Sequence, residues 1–309
     1  MSTPTLRVAS APVSFGVDEI MQDDAWMPAP DDMLDWMVDI GFEGTELGAP
    51  GFLGDGLQVN ERLTSRGLEL VGAFLPQHFS RAEKVDEDRA SLRHSLRVMK
   101  EGSPSGSRPF AVLSDQFDEP DRRALSGRIQ EHPEAWLSPA RFETLIDNLH
   151  GVAEICRSEG FEPVVHPHAG TYIETADEIA RVMDRIDPSV LGLCLDTGHF
   201  RFGGADPVQA VHDYHELIRH VHIKDCRTAV MDGVKAEGKG LDEALRRGVF
   251  CQLGLGDSGI DAVIAALRDQ GYEGWLVIEQ DQFLRTSDTP ESVLEGQRAN
   301  RDYLTRLGI

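Results

Sequence analysis

Four short apolar runs in the C-terminal half of the chain each stop at side chains able to bind a metal ion or move a proton. Val164-Val165 ends in His166-Pro167-His168, and Leu193-Cys194-Leu195 ends in Asp196-Thr197-Gly198-His199. The run around Val221 carries His220 and His222 and ends in Lys224-Asp225, and Trp275-Leu276-Val277-Ile278 ends in Glu279-Gln280-Asp281. One histidine in a strand is usually a satisfied polar group of the structure. Four separate strand ends of this kind point to convergence on one site. A mixed imidazole and carboxylate set without thiolate suits Mn²⁺ or Co²⁺, with Zn²⁺, Fe²⁺ and Mg²⁺ as alternatives, because geometry and supply choose among such ions.

Convergence requires elements that bring remote strand ends together, and the rest of the sequence supplies them. Eight apolar or β-branched runs alternate with amphipathic segments: Leu6–Ser10, Gly44–Leu47, Leu68–Leu75, Pro109–Ser114, Pro163–His168, Leu191–Leu195, Val221–Lys224 and Trp275–Ile278. Helices are expected at Pro30–Ile40, Leu57–Ser65, Ala82–Lys100, Pro139–Ser158, Thr175–Ile186, Pro207–Ile218, Ile260–Gln270 and Pro290–Leu307. The third run leads into a polar loop with Gln77, His78 and Arg81. Eight βα repeats predict an α/β fold, a (β/α)₈ barrel filling residues 1–309 as a single domain, with its site at the C-terminal ends of the strands. Two segments break the rhythm. Asp115–Ser138 reads as a lid or a variable surface loop, and Cys226–Gly259 reads as a long link whose Gly254-Leu255-Gly256-Asp257 makes a tight turn rather than a phosphate loop.

Composition narrows the function. The 309 residues carry a formal charge of −23, which opposes a nucleic-acid partner. No run approaches the roughly 20 apolar residues of a membrane span. Residues Met1–Arg7 carry no secretion signal, and the four cysteines show no CxxC spacing, so a cytoplasmic location with reduced thiols is expected. No Ser nucleophile elbow is present. His212, His215 and His220 are assigned surface or packing roles, whereas Gln280 and Asp281 are candidates for supporting the ligands.

The pieces Asp196-Thr197-Gly198-His199, His222-Ile223-Lys224-Asp225 and Glu279, preceded by His166-Pro167-His168-Ala169-Gly170-Thr171 and the opening Ala11-Pro12-Val13-Ser14-Phe15-Gly16, resemble the xylose isomerase-like barrel superfamily of sugar isomerases and epimerases. Within it the chain is most similar to the inosose dehydratase branch. The resemblance implies a divalent metal on Asp196, His222 and Glu279, where the superfamily uses Asp, His and Glu. At the strand-five position the superfamily has Glu and this chain has His166, which becomes the fourth ligand, with His168 and Glu174 as alternatives. Epimerases of the superfamily resemble two-carboxylate machines, so this substitution favours dehydration of a keto-polyol such as 2-keto-myo-inositol. In that reading His168 or His199 is the acid or base, Glu279 both binds metal and serves the chemistry, and Lys224, His168 and Glu46 contact substrate oxygens. A metal-dependent sugar isomerase or epimerase working through an enediolate is the alternative, and a non-catalytic sugar-binding barrel the second. An endonuclease of the superfamily needs more ligands and a basic groove. The expected partner is a small polyol or sugar, and the exposed faces of such barrels are compatible with a homo-oligomer.

Overall fold

The computed structural model describes residues 5–17 and 26–309. The expectation of no secretion signal rests on Met1–Arg7, of which residues 1–4 lie outside the described residues.

Eight parallel strands close into a barrel: β1 (Leu6–Ser10), β2 (Gly44–Glu46), β3 (Glu69–Gln77), β4 (Phe110–Asp115), β5 (Glu162–Val165), β6 (Gly192–Asp196), β7 (Ile218–Ile223) and β10 (Gly274–Ile278). Closure comes from β1 pairing with β10, Leu6 opposite Gly274 through Ser10 opposite Ile278. Between β7 and β10 the chain makes a separate antiparallel pair, β8 (Asp225–Cys226) with β9 (Phe250–Cys251). The helices are α1 (Pro30–Ile40), α2 (Gly56–Arg66), α3 (Val85–Gly102), α4 (Pro120–Leu125), α5 (Pro139–Ser158), α6 (Ala176–Met183), α7 (Thr197–Phe202), α8 (Pro207–Tyr214), α9 (Thr228–Ala236), α10 (Leu241–Arg246), α11 (Ile260–Asp269) and α12 (Pro290–Arg306). None of the described helices is long and apolar enough to cross a membrane.

Local chemistry sets the helix boundaries. Helix α5 starts where Ser138 accepts from the Arg141 amide and Pro139 fills the first helical position, and its buried stripe from Phe142 to Cys156 packs into the core. The first turn of α6 is a capping box between Thr175 and Glu178, and Glu178 is also in a buried ion pair with Arg122 of α4 at 2.7 Å. Two expected elements differ. The segment expected as one helix from Pro207 ends at Tyr214, because Ile218 turns inward as the first residue of β7. Residues 197–202, for which no helix is expected, form α7 directly after β6.

Register matters more to the site than element length. The β2–β3 ladder shifts between Thr45 and Glu46, which sets Glu46 opposite Gly72, and a Cβ on Gly72 would lie 2.9 Å from the Glu46 carboxylate. A second shift, between Leu193 and Cys194, brings Asp196 opposite His222. One residue of slip at either place would turn these side chains to the wrong face.

The segments that broke the sequence rhythm fold over the C-terminal mouth. Residues 115–138 form α4 and two 3₁₀ turns, and residues 225–259 carry β8, α9, α10 and β9. The second segment packs Cys226, Met231, Val234, Leu241, Val249 and Phe250 into a small core with Ala169 and with Phe202 of α7. Its anchor is Asp225, which is 1% exposed. The Asp225 carboxylate accepts from the amides of Cys226, Gly254, Gly256 and Ser258 at 2.9–3.0 Å. The expected turn at Gly254–Asp257 therefore wraps a carboxylate of the protein itself, and a Cβ on Gly256 would come within 2.4 Å of Asp225 Oδ1. An unpaired buried amide costs about 1–3 kcal/mol. Asp225→Ala is accordingly expected to destabilise the protein by about 3 kcal/mol, lowering the thermal midpoint by about 5 °C. Circular dichroism melting checks this, and an unchanged midpoint would show that the segment holds itself in place.

Candidate functional site

Asp196 ends β6 and caps α7. Its Oδ1 accepts from the amides of Gly198 and His199, both at 2.8 Å, an N-cap that fixes the carboxylate. That leaves Oδ2, fully buried and without a hydrogen-bond partner, facing the barrel axis. His166 Nε2 lies 3.5 Å from Oδ2, and His222 Nδ1 lies 3.7 Å from it. Glu279 Oε2 completes the group at 3.0 Å from His222 Nδ1. One atom each from His166, Asp196, His222 and Glu279 falls within a 4.8 Å span. Both nitrogens of His166, Oδ2 of Asp196 and Nδ1 of His222 make no aligned hydrogen bond. Buried polar atoms are rarely left so, and their inward convergence is the arrangement of a cation site.

The ring of His222 is oriented from behind. Glu46 Oε1 accepts from His222 Nε2 at 3.0 Å and from His220 Nε2 at 2.8 Å, which orients the His222 ring so that Nδ1 faces Asp196 and Glu279. Burial disfavours the Glu46 carboxylate, but His222 and His220 together hold its pKa below the ordinary range. Glu46, expected to contact substrate, is thus engaged by two imidazoles. His220, expected to pack, is its partner. Glu174 is also engaged elsewhere: its two oxygens accept from Gly127, Ser126 and Gly170, each at 2.6 Å, and it stands outside the four-residue group.

Lys224 reaches in from the end of β7 and is 1% exposed. Its Nζ lies 2.8 Å from Asp281 Oδ1, 3.0 Å from Glu279 Oε2 and 3.3 Å from Asp196 Oδ2. Burial opposes the ammonium, yet Asp196, Asp281 and Glu279 outweigh it and raise the pKa well above the usual lysine value. The same group counters burial at Glu279, whose pKa is pulled down to about 2 by His222 and Lys224. Gly198 makes room for the lysine stem, since a Cβ there would lie 2.5 Å from Lys224 Cγ. The Thr197 hydroxyl donates to the Lys224 carbonyl at 2.7 Å and accepts from its amide at 2.9 Å.

His168 donates from Nδ1 to the Ala169 carbonyl at 2.8 Å, which leaves Nε2 as the acceptor. Burial, with His166 and Lys224 nearby, pushes its pKa down to about 3, so the ring is neutral at physiological pH. It stacks on Phe117 with centroids 5.3 Å apart and lies 3.8 Å from the His199 ring. His199 is 2% exposed, with Nε2 at 2.9 Å from Lys224 Nζ.

These groups floor a pocket that opens to solvent, the concave setting of small-molecule sites. Glu46, His166, His168, Lys224, Glu279 and Asp281 contribute the polar lining, and His199 stands behind it. Phe74, Phe117, Leu241 and Leu245 give apolar walls. Arg123 also lines it, with Nε 3.0 Å from Asp242 across the mouth. Phe117, Arg123, Leu241 and Leu245 were not singled out in the sequence, since they lie in the two segments without clear periodicity. A neutral imidazole, a buried ammonium and four converging carboxylate and imidazole groups thus share one floor.

Comparison with known proteins agrees with this architecture. The family model described as a xylose isomerase-like TIM barrel matches residues 34–303. An inosose dehydratase of Geobacillus kaustophilus is 32% identical over 277 residues, covering 89% of this chain and 87% of the relative. Inosose dehydratase 2 of Bacillus cereus is 27% identical, covering 90% of each. Among solved structures, the IolI protein with a bound zinc atom superposes with a TM-score of 0.70 at 13% identity, over 97% of this chain and 98% of that one. An L-ribulose 3-epimerase gives 0.67 at 17% identity, over 98% and 94%. The chain belongs to the xylose isomerase-like TIM barrel family and is an enzyme, a dehydratase or an isomerase/epimerase.

Proposed function

We propose that the enzyme is a metal-dependent carbon–oxygen lyase that removes water from a cyclic keto-polyol of the 2-keto-myo-inositol type, in the cytoplasm and as part of carbohydrate catabolism. The observation that carries this reading is the pairing, on one pocket floor, of a neutral His168 and the Lys224 ammonium beside four converging ligand atoms. The inosose dehydratase relatives at 32% and 27% identity supply the substrate class.

The residues fit a divalent ion, because buried atoms of His166, Asp196 and His222 that lack hydrogen-bond partners converge with Glu279. Mn²⁺ or Co²⁺ on these four would supply Lewis acidity to a ketone oxygen and positive charge for the oxyanion that develops there. His168 Nε2 takes the proton from the carbon next to the ketone. The electron pair of that C–H bond forms the new double bond as the C–O bond one carbon further on breaks. Lys224 donates a proton to the departing hydroxyl, which leaves as water. His199, set between His168 and Lys224, lies on the route by which the proton returns to the lysine. Glu46 keeps His222 turned toward the ion, and the Phe117 and Leu241 walls limit water around the reacting carbons.

Epimerisation needs a second base on the opposite face of the same carbon, and the strand-five position offers His166, whose Nε2 faces Asp196 within the ligand group. Incubation with 2-keto-myo-inositol and Mn²⁺ or Co²⁺ is expected to produce a conjugated product absorbing in the near ultraviolet. Chelation should abolish the signal and metal should restore it. Solvent deuterium entering the ketone without loss of water would instead select an epimerase or isomerase.

His168→Gln is expected to lower kcat by about 10²–10⁴-fold with the metal retained. Glu46→Gln, which leaves the ligands in place but loosens His222, should weaken metal binding about 10–100-fold in a competition titration. Metal affinity unchanged in Glu46→Gln would remove the orienting role assigned to that carboxylate.

A further inference from the structure

A second group of donors adjoins the first. His168, His199 and Asp281 each offer one atom within 4.8 Å of the others, and none of the three belongs to the His166, Asp196, His222 and Glu279 set. Two imidazoles and a carboxylate are donor types that suit a divalent transition metal. A cation already stands among them. Lys224 Nζ lies 2.9 Å from His199 Nε2 and 2.8 Å from Asp281 Oδ1, and the same nitrogen is 3.3 Å from Asp196 Oδ2 and 3.0 Å from Glu279 Oε2. The ammonium therefore touches both groups and takes up donor atoms that a second ion would need.

Charge and space agree. The carboxylates around Nζ are Asp196, Glu279 and Asp281, and because burial raises the Asp281 pKa to about 7, one ammonium plus one divalent ion meet at most three negative charges. The remaining buried carboxylate of the region, Glu46, is bonded to the far edge of His222 and to His220. A divalent ion added to the His168, His199 and Asp281 group would sit a few ångströms from the ammonium with no water between them, where like charges repel strongly. The lysine stem is also held in place: Gly198 leaves the space it crosses, and Thr197 bonds both its amide and its carbonyl.

We propose that Lys224 acts as a built-in second cation, which keeps the centre at one divalent ion, and that neutralising it uncovers a second metal site made of His168, His199 and Asp281. The inference rests on the four-residue metal centre described under the proposed function. It assigns Lys224 a role in metal stoichiometry that is separate from its role toward substrate.

Equilibrium dialysis against Mn²⁺ followed by metal analysis tests it, with electron paramagnetic resonance reporting whether two Mn²⁺ ions lie close enough to couple. Wild-type enzyme is expected to hold one equivalent, Lys224→Met two with a coupled spectrum, and Lys224→Met combined with Asp281→Asn one again. Lys224→Gln is expected to behave as Lys224→Met and replaces it if the methionine variant does not fold. Two equivalents in the wild type, or one in a folded Lys224→Met or Lys224→Gln, would overturn the inference while leaving the four-residue centre intact. No bound metal in the wild type would overturn that centre itself, and the inference with it.

Discussion

The division of labour within one carboxylate governs this site. Asp196 gives one oxygen to the first turn of α7 and keeps the other for the barrel axis. The helix cap is a short-range, backbone-directed interaction, so it aims the free oxygen with little freedom of rotation. Everything else on the floor is placed relative to that oxygen: His166 and His222 across from it, and Lys224 beside it. The same turn carries Gly198, whose missing side chain admits the lysine, and Thr197, which ties the Lys224 backbone to α7. A fold element and a reactive group are thus a single construction.

A second tier of contacts keeps the imidazoles in usable states. Glu46 reaches His220 and His222 because the β2–β3 ladder shifts by one residue beside it and Gly72 leaves space for the carboxylate. His168 is neutral because it is buried near other basic groups, and its tautomer follows from the Ala169 carbonyl. Positioning and protonation are set by hydrogen bonds and burial around the imidazoles.

The parts of this design that depend on neighbouring residues can be read from the amino-acid order. Abrupt changes from apolar run to ligand side chain mark β5, β6, β7 and β10, and capping residues mark helices such as α5. The contacts between Glu46 and His222 cannot be read in this way, because 176 residues separate the partners and a ladder shift decides which way Glu46 points. Helix α7 is too short to show a period, although Asp196 before Thr197 is a cap signal. The α4 and α10 segments have the same difficulty: six residues each give no repeat, and their buried residues pair with distant groups, Arg122 with Glu178 and Leu241 with the cluster around Phe250. Ile218 is ambiguous for a different reason, since an apolar residue at the end of an amphipathic stretch serves equally as the last turn of a helix or the first residue of a strand.

The segment from Asp225 to Ser258 closes on itself through one carboxylate and builds a small core together with Ala169 and Phe202. It joins the barrel at β7 on one side and α11 on the other, and none of the four ligand residues lies within it. Its length and sequence can diverge away from the floor, whereas Phe250, which packs against His199 and Lys224, ties it to the floor. In evolutionary terms it is a cassette: a barrel of this kind can acquire a new substrate shape by exchanging Leu241, Leu245 and their scaffold as a unit, leaving the chemistry of the strand ends inherited.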